Sequence, residues 1–220
     1  MTGIKEISRV KRTRKQAQIN YDRISGIYDL IEGVWEKKFR KIGLQKLNPV
    51  KGQRILQIGV GTGHDQFIIS KSIGKEGTAV GVDISLRMLL KTKSRLRKIY
   101  PNTILTKGDA LLLPFKDNVF DSVYMSFVLE LFDTPEIPVV LNECKRVLKN
   151  NGKLIAITLS NEDETIMEKL YMWGHEKFPS LLDCRPINTA ALLFDNKFHI
   201  IESQVMSMMG IPVEIVLASK

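Results

Sequence analysis

The 220-residue sequence predicts an α/β protein, with a Rossmann-like, seven-stranded, mostly parallel sheet and helices on both faces. The last strand is expected to run antiparallel, and a helical segment is expected to precede the sheet. Three observations predict this. From residue 54 onward, short apolar runs alternate with amphipathic stretches, the pattern of parallel strands joined by right-handed helical crossovers. Three glycines at alternate positions follow the first apolar run in "LQIGVGTGHD". Finally, two apolar runs close to the carboxyl end can pair directly with each other.

Residues 1–48 are expected to form a basic helical cap and residues 49–220 the ligand-binding domain. In the cap, Tyr21, Ile24, Tyr28, Ile31 and Trp35 recur three and four apart, which marks one helical face. A second helix follows, with Trp35, Phe39 and Ile42 set among Lys37, Lys38, Arg40 and Lys41, until Pro49 and Gly52 break the pattern. "RILQIGV" reads as the first buried strand and "FIISKSIG" as a helix ending at Gly74. "TAVGVD" is a strand, "LRMLLKTKSRLRKIY" a helix, "TILTKGD" a short strand and "VFDSVYMSFVL" a strand again. In "PEIPVVLNECKRVLKNNG", Ile137, Val140, Leu141, Cys144, Val147 and Leu148 share a helical face that stops at Asn-Gly. "KLIAITLS" is a strand, 162–177 a helix, and "HIIESQVMSM" and "VEIVLAS" the closing strand pair.

Charge is distributed unevenly. Residues 1–55 hold 14 Lys and Arg against 5 Asp and Glu, whereas 56–220 hold 19 against 19, so the whole net charge of +9 sits on the amino-terminal quarter. The opening "MTGIKEISRVKRTRKQ" has no apolar core of a secretory signal, and no run approaches the ~18 apolar residues of a membrane span. Cys144 and Cys184 have no metal-ligand spacing. These features predict a reduced, cytoplasmic protein without a metal.

In an open parallel sheet, ligands bind beyond the carboxyl ends of strands where the strand order reverses. Gly59, Gly61 and Gly63 occupy the turn that leaves the first strand, where positive φ and close backbone approach suit glycine. Asp83, twenty residues after Gly63, ends the second strand and can accept both hydroxyls of an adenosine ribose. Asp109 follows the third strand within reach of an adenine amino group. The spacing is GxGxG, with His64 where a dinucleotide fingerprint has its third Gly or Ala, so the turn favours S-adenosyl-L-methionine over NAD.

These residues carry a family likeness. "YDRISGIYDL", "QIGVGTG", "VDISLRML", "GDALLLPFKDNVFDSV" and "ECKRVLKNNGKL" resemble the corresponding segments of the ubiquinone/menaquinone-biosynthesis methyltransferases, class I enzymes dependent on S-adenosyl-L-methionine. The resemblance implies that Gln57, Gly59, Gly61 and Gly63 meet the methionine part of the cofactor and Asp83 its ribose. It implies that Ile84 and Met88 flank the adenine, with Asp109 and Ala110 at its edge. By the same resemblance Ser126 and Phe127 sit beside the methyl group, and Tyr28 closes over the site. Three positions depart from the family. Gln57 stands where an acid is usual, Asn151 replaces a turn glycine, and "FVLELF" replaces the Arg-Asn pair that follows the fourth strand in quinone-ring methylases.

Methyl transfer from a sulfonium is an in-line displacement with a good neutral leaving group, so alignment and desolvation supply much of the acceleration. Glu130 is the expected general base or anchor for a cationic acceptor, and His175, on the helix after the fifth strand together with Tyr171, a further catalytic candidate. Arg185 in "LLDCRPI" can grip an anionic acceptor or form a surface ion pair. The expected acceptor is small and hydrophobic, quinone- or lipid-like; a phospholipid amine is the alternative. A non-catalytic adenosine-ligand module and an NAD-dependent oxidoreductase are the alternatives of another class. The basic quarter reads as a solvated cap or as a peripheral contact with an anionic membrane through residues 1–47, with Trp35, Phe39 and Ile42 dipping in. Nucleic acid ranks last, because neither an Asn-Pro-Pro-Tyr motif nor a suitably placed cysteine nucleophile is present.

Overall fold

The computed structural model describes residues 9–10, 12–26, 36–96, 102–161 and 184–220. In chain order the elements are α1 (Arg14–Ile24), α2 (Lys37–Leu47), β1 (Arg54–Ile58), α3 (His64–Ile73), β2 (Thr78–Asp83), α4 (Leu86–Leu96) and β3 (Thr103–Lys107). They continue with β4 (Phe120–Ser126), α5 (Ile137–Val147), β5 (Leu148–Leu159), α6 (Thr189–Asp195), β6 (His199–Met208) and β7 (Ile211–Ser219). The seven strands form one sheet in the order β3-β2-β1-β4-β5-β7-β6. The first five are parallel, and β7 runs antiparallel to both β5 and β6. The strand order reverses between β1 and β4, which fixes where a ligand site belongs.

Strand alternation divides the core into two layers. Leu56, Ile58, Val80, Val82, Val123, Met125 and Leu154 face one layer, covered by the apolar face of α5 and by Leu193 of α6. Ile55, Ala79, Tyr124, Ile155, Ile157 and Ile215 face the other, covered by Phe39, Leu44 and Leu47 of α2 and by Ile69 and Ile73 of α3. Helix α2 is therefore part of the main core. Its approach to the sheet depends on Gly43, where an added Cβ would lie 2.5 Å from the Ile157 side chain.

Several boundaries differ from the sequence reading for identifiable reasons. Helix α1 begins at Arg14 rather than near Tyr21, because Thr13 and Gln16 form a reciprocal capping box ahead of a polar stretch with little apolar periodicity. Strand β4 stops at Ser126 rather than continuing to Leu129, since Phe127 takes φ +53° and a 3₁₀ turn follows over Leu129–Leu131. The short helix α6 escaped the periodicity; its start is marked by Asn188, whose side chain accepts the Ala191 N–H at 2.8 Å. Asn151 adopts φ +61°, the left-handed conformation expected of its glycine-like position. The helix expected over 162–177 lies outside the described residues. Among the described residues no helix is long and apolar enough to cross a membrane.

Candidate functional site

Beyond the carboxyl ends of β1, β2 and β4 lies an open cleft. Its floor is the turn between β1 and α3. Gly59, Gly61 and Gly63 all take positive φ there, at +71°, +53° and +87°. Two of them also lack room for a side chain: a Cβ on Gly59 would lie 2.3 Å from Val128 Cγ2, and one on Gly63 would lie 2.7 Å from Thr92 Cγ2. Gly63→Ala combines a left-handed backbone with a clash against the Thr92 main chain at 3.0 Å. It is expected to cost about 2–3 kcal/mol, read as a lower midpoint in urea unfolding at an unchanged m value.

Asp83 closes one end of this turn. Its Oδ2 accepts the Gly61 N–H at 3.0 Å and its Oδ1 the Ser85 N–H at 2.8 Å. The carboxyl is buried, and that desolvation raises its pKa to about 6 against the opposing pull of backbone donors from Ser85, Gly61 and Ile84; nearby Asp22 adds to the rise. Asp22 belongs to α1 and accepts a hydrogen bond from Ser85 Oγ at 2.6 Å, so the cap helix is docked directly on the β2–α4 turn.

The sequence-predicted residues converge. Gln57, the three glycines, Asp83, Ile84 and Met88 line the cleft, as do Asp109, Ala110, Ser126 and Phe127. The residues present fit an adenosine–methionine ligand. Among the buried polar atoms of the lining, Gln57 Oε1 has no hydrogen-bond partner within the protein, while Ile84 and Met88 offer apolar flanks beside the Asp83 and Asp109 carboxylates. Such an orphaned atom in a lined cleft calls for a polar occupant.

Glu130 is placed elsewhere. It is fully buried, its Oε1 accepts the Leu159 N–H at 3.3 Å, and it is absent from the cleft lining, unlike its neighbours Val128, Leu131 and Phe132. Arg185 is also fully buried rather than presented to an acceptor; its guanidinium donates to Phe132 O at 2.5 Å and to Thr134 Oγ1 at 3.2 Å. Phe39 packs in the core at 2% exposure, which removes it from any membrane-dipping face. Tyr28, Trp35, Tyr171 and His175 lie outside the described residues.

The sequence reading expected the amino-terminal segment to close over the site through Tyr28 but named none of the residues that line the walls from that segment, from α2 or from the first turn of α3. Arg12, Arg14, Ala17 and Tyr21 line the cleft, together with Arg40 and Asp65. Arg14 stacks 4.3 Å over the Phe132 ring and pairs with Glu136 at 2.5 Å and Asp109 at 3.7 Å. Arg9 grips Asp133 through two side-chain nitrogens, which holds that carboxyl well below the usual range. A segment tied by three arginine contacts to the β4–α5 connection has no short motif; only its basic composition signalled it.

Comparison with known proteins accords with this geometry. The model of the ubiE/COQ5 methyltransferase family matches residues 1–182. A demethylmenaquinone methyltransferase of Staphylococcus saprophyticus is 31% identical over 165 residues, covering 73% of this chain and 70% of that protein. A Staphylococcus aureus counterpart is 32% identical, covering 74% of this chain and 65% of its own length, so the chain spans about two thirds of the curated relatives it matches. The solved structure of the cyclase SpnF superposes with TM-score 0.77 at 16% identity, over 95% of this chain and 97% of that one. A SAM-dependent methyltransferase from Aquifex aeolicus gives 0.63 at 19% identity, over 95% and 99%. At such identities the solved structures establish the fold, and the presence of a cyclase among them shows that the fold does not fix the reaction. The family match does more, and leaves the nicotinamide and non-catalytic readings without support: this chain belongs to the ubiE/COQ5 methyltransferase family and is an S-adenosyl-L-methionine-dependent methyltransferase.

Proposed function

We propose that this enzyme methylates a quinol-like, hydrophobic aromatic acceptor. The observation that carries the reading is the apolar part of the cleft lining: Phe127, Val128, Leu131 and Phe132 all border the cleft, with Val128 packed against Gly59 of the glycine turn. The named activity of the staphylococcal relatives points the same way.

When bound, the cofactor supplies a methyl group on a positively charged sulfur. The chain's residues bind, orient and desolvate. In this reading Gly59, Gly61 and Gly63 admit the methionine part against bare backbone, and Asp83 receives the ribose hydroxyls. Ile84 and Met88 sandwich the adenine, whose edge meets Asp109 and Ala110. Ser126 and Phe127 stand beside the methyl group. Val128, Leu131 and Phe132 exclude water from the acceptor ring, while Arg14 and Tyr21 close the cleft from the cap. Glu130 supports the 128–132 segment from behind by holding the end of β5. Glu130 does not line this open cleft, so in this reading alignment supplies the acceleration and the proton the acceptor loses passes to solvent rather than to that carboxylate.

The test is incubation with radiolabelled donor and a choice of chemically reduced naphthoquinol or phosphatidylethanolamine, with products separated by chromatography. Label in the naphthoquinol supports the proposal; label confined to the phospholipid overturns it.

The cap also has a partner reading. With Phe39 buried, the outward side of α2 presents Lys37, Lys38 and Lys41, all exposed. We propose electrostatic contact with an anionic bilayer, from which a lipid-soluble acceptor would be drawn. Each lysine near such a surface is worth about 1 kcal/mol, so Lys37→Glu with Lys38→Glu should lower co-sedimentation with phosphatidylglycerol vesicles by at least about tenfold. Unchanged pelleting of the variant would remove the contact.

A further inference from the structure

The family acid expected at the end of β1 is absent, since Gln57 stands there, and a neutral amide supplies no counter-charge for the cofactor's ammonium. The structure contains a carboxylate on the same side of the sheet. Asp65, second residue of α3, lines the same cleft as Gln57 and is 6% exposed. It is held by two neighbours from different elements. Tyr124 of β4 donates its hydroxyl to Asp65 Oδ2 at 3.2 Å, and Arg40 of α2 brings Nε to 3.8 Å from Oδ1. Arg40 also lines the cleft and is steadied on its other side by Glu36 at 3.6 Å. Burial pushes the Asp65 carboxyl up in pKa, opposed by Arg40 and the tyrosine; a second positive group beside it would relieve that strain.

On this side of the sheet the cleft thus sets the Asp65 carboxylate next to the Arg40 guanidinium, and its lining also includes Gln57, whose Oε1 is buried and has no partner within the protein. An α-amino acid is the complementary shape: an ammonium and a carboxylate separated by a single carbon. We infer that Asp65 and Arg40 form a clamp for the amino-acid end of the cofactor, Asp65 and Gln57 taking the ammonium and Arg40 the carboxylate, so that the charge missing at position 57 is supplied from position 65. This rests on the cofactor orientation proposed above, with the methionine part over the glycine turn. It also gives α2 a role in binding: the helix that fills the core under β5 carries the carboxylate anchor on its cleft side.

Three ligands dissect the clamp by calorimetric titration of the full chain. S-Adenosylhomocysteine has both charged groups, decarboxylated S-adenosylmethionine only the ammonium at that end, and 5′-methylthioadenosine neither. Asp65→Asn should weaken the first two by about tenfold or more, the loss of a charge-assisted hydrogen bond, and leave methylthioadenosine within about twofold. Arg40→Met should weaken S-adenosylhomocysteine by a similar factor while sparing the decarboxylated ligand. Adding Gln57→Glu to Asp65→Asn should restore much of the lost affinity by returning the acid to the strand end. Equal losses for all three ligands would mean that the pair only braces α2 against α3, and would overturn the clamp, as would a double variant no better than Asp65→Asn alone. If wild-type protein bound S-adenosylhomocysteine no more tightly than methylthioadenosine, the orientation itself would fail, independently of the two variants.

Discussion

Asp83→Ala will abolish most cofactor binding, with affinity for S-adenosylhomocysteine falling at least about 100-fold in calorimetric titration, the worth of two charge-assisted hydrogen bonds to ribose. The argument has two parts. The carboxylate already accepts the Gly61 and Ser85 N–H groups, so its position is fixed before ligand arrives and no ordering cost falls on binding. Its pKa is raised to about 6 by burial, so the charged form at neutral pH is incompletely compensated in the free protein. The folded-state value exceeds the unfolded one of 3.8. Its contribution to folding is therefore favourable below about pH 4 and is lost as pH rises through about 6, leaving the free protein about 3 kcal/mol less stable at neutrality than an unshifted carboxyl would. Ribose hydroxyls donate to the charged form, so ligand binding recovers part of that loss. Cofactor affinity should accordingly weaken as pH falls through about 6, and binding near pH 6 should release protons. Titrations in two buffers of different ionisation enthalpy read that release directly. A pH-independent affinity between 5 and 7.5 would contradict the assignment of Asp83 to the ribose.

The parts of the site that were legible in the sequence are those where backbone geometry dictates the residue. Gly59, Gly61 and Gly63 sit at φ values that other residues resist, and Asp83 ends a strand whose neighbour is fixed by parallel pairing, so their spacing survives as a pattern. The mostly parallel sheet with helices on both faces followed from the alternation of elements, whereas the order of its strands did not. What the sequence did not disclose depends on long-range approach. Arg40, Asp65 and Tyr124 are separated by 25 and 59 positions and meet only because α2, α3 and β4 share one face of the sheet. Glu130 reads as a base because it lies after the fourth strand, in the segment that replaces the Arg-Asn pair of quinone-ring methylases. The left-handed Phe127 and the 3₁₀ turn rotate it behind the wall instead. Phe39 and Ile42 spaced among lysines suit a membrane face and a core face equally well, and the apolar groove left by β5 and β7 decides for the core.

Arg185→Met should lower the unfolding free energy by about 3–5 kcal/mol, the usual cost of removing one member of a buried charge cluster. Arg185 is among the largest fully buried side chains, and its guanidinium stitches Phe132 O and Thr134 Oγ1 to the chain that follows β5. Burial depresses its pKa while the charges of Asp133 and Glu130 support it, so the cation and the carboxylates depend on one another. Methionine fills a similar volume but leaves Glu130 buried with less compensation. For a chain of this size the melting temperature should drop by roughly 10 °C, measured by circular dichroism. Adding Glu130→Gln should then recover part of the loss, because the uncompensated charge has been removed along with its partner. An arginine that gripped an anionic acceptor would behave differently: its loss would raise KM for the acceptor and leave the melting temperature nearly unchanged. The two roles therefore separate on one measurement, and because Phe132 lines the cleft, the stability loss should be accompanied by a fall in kcat even when substrate is saturating.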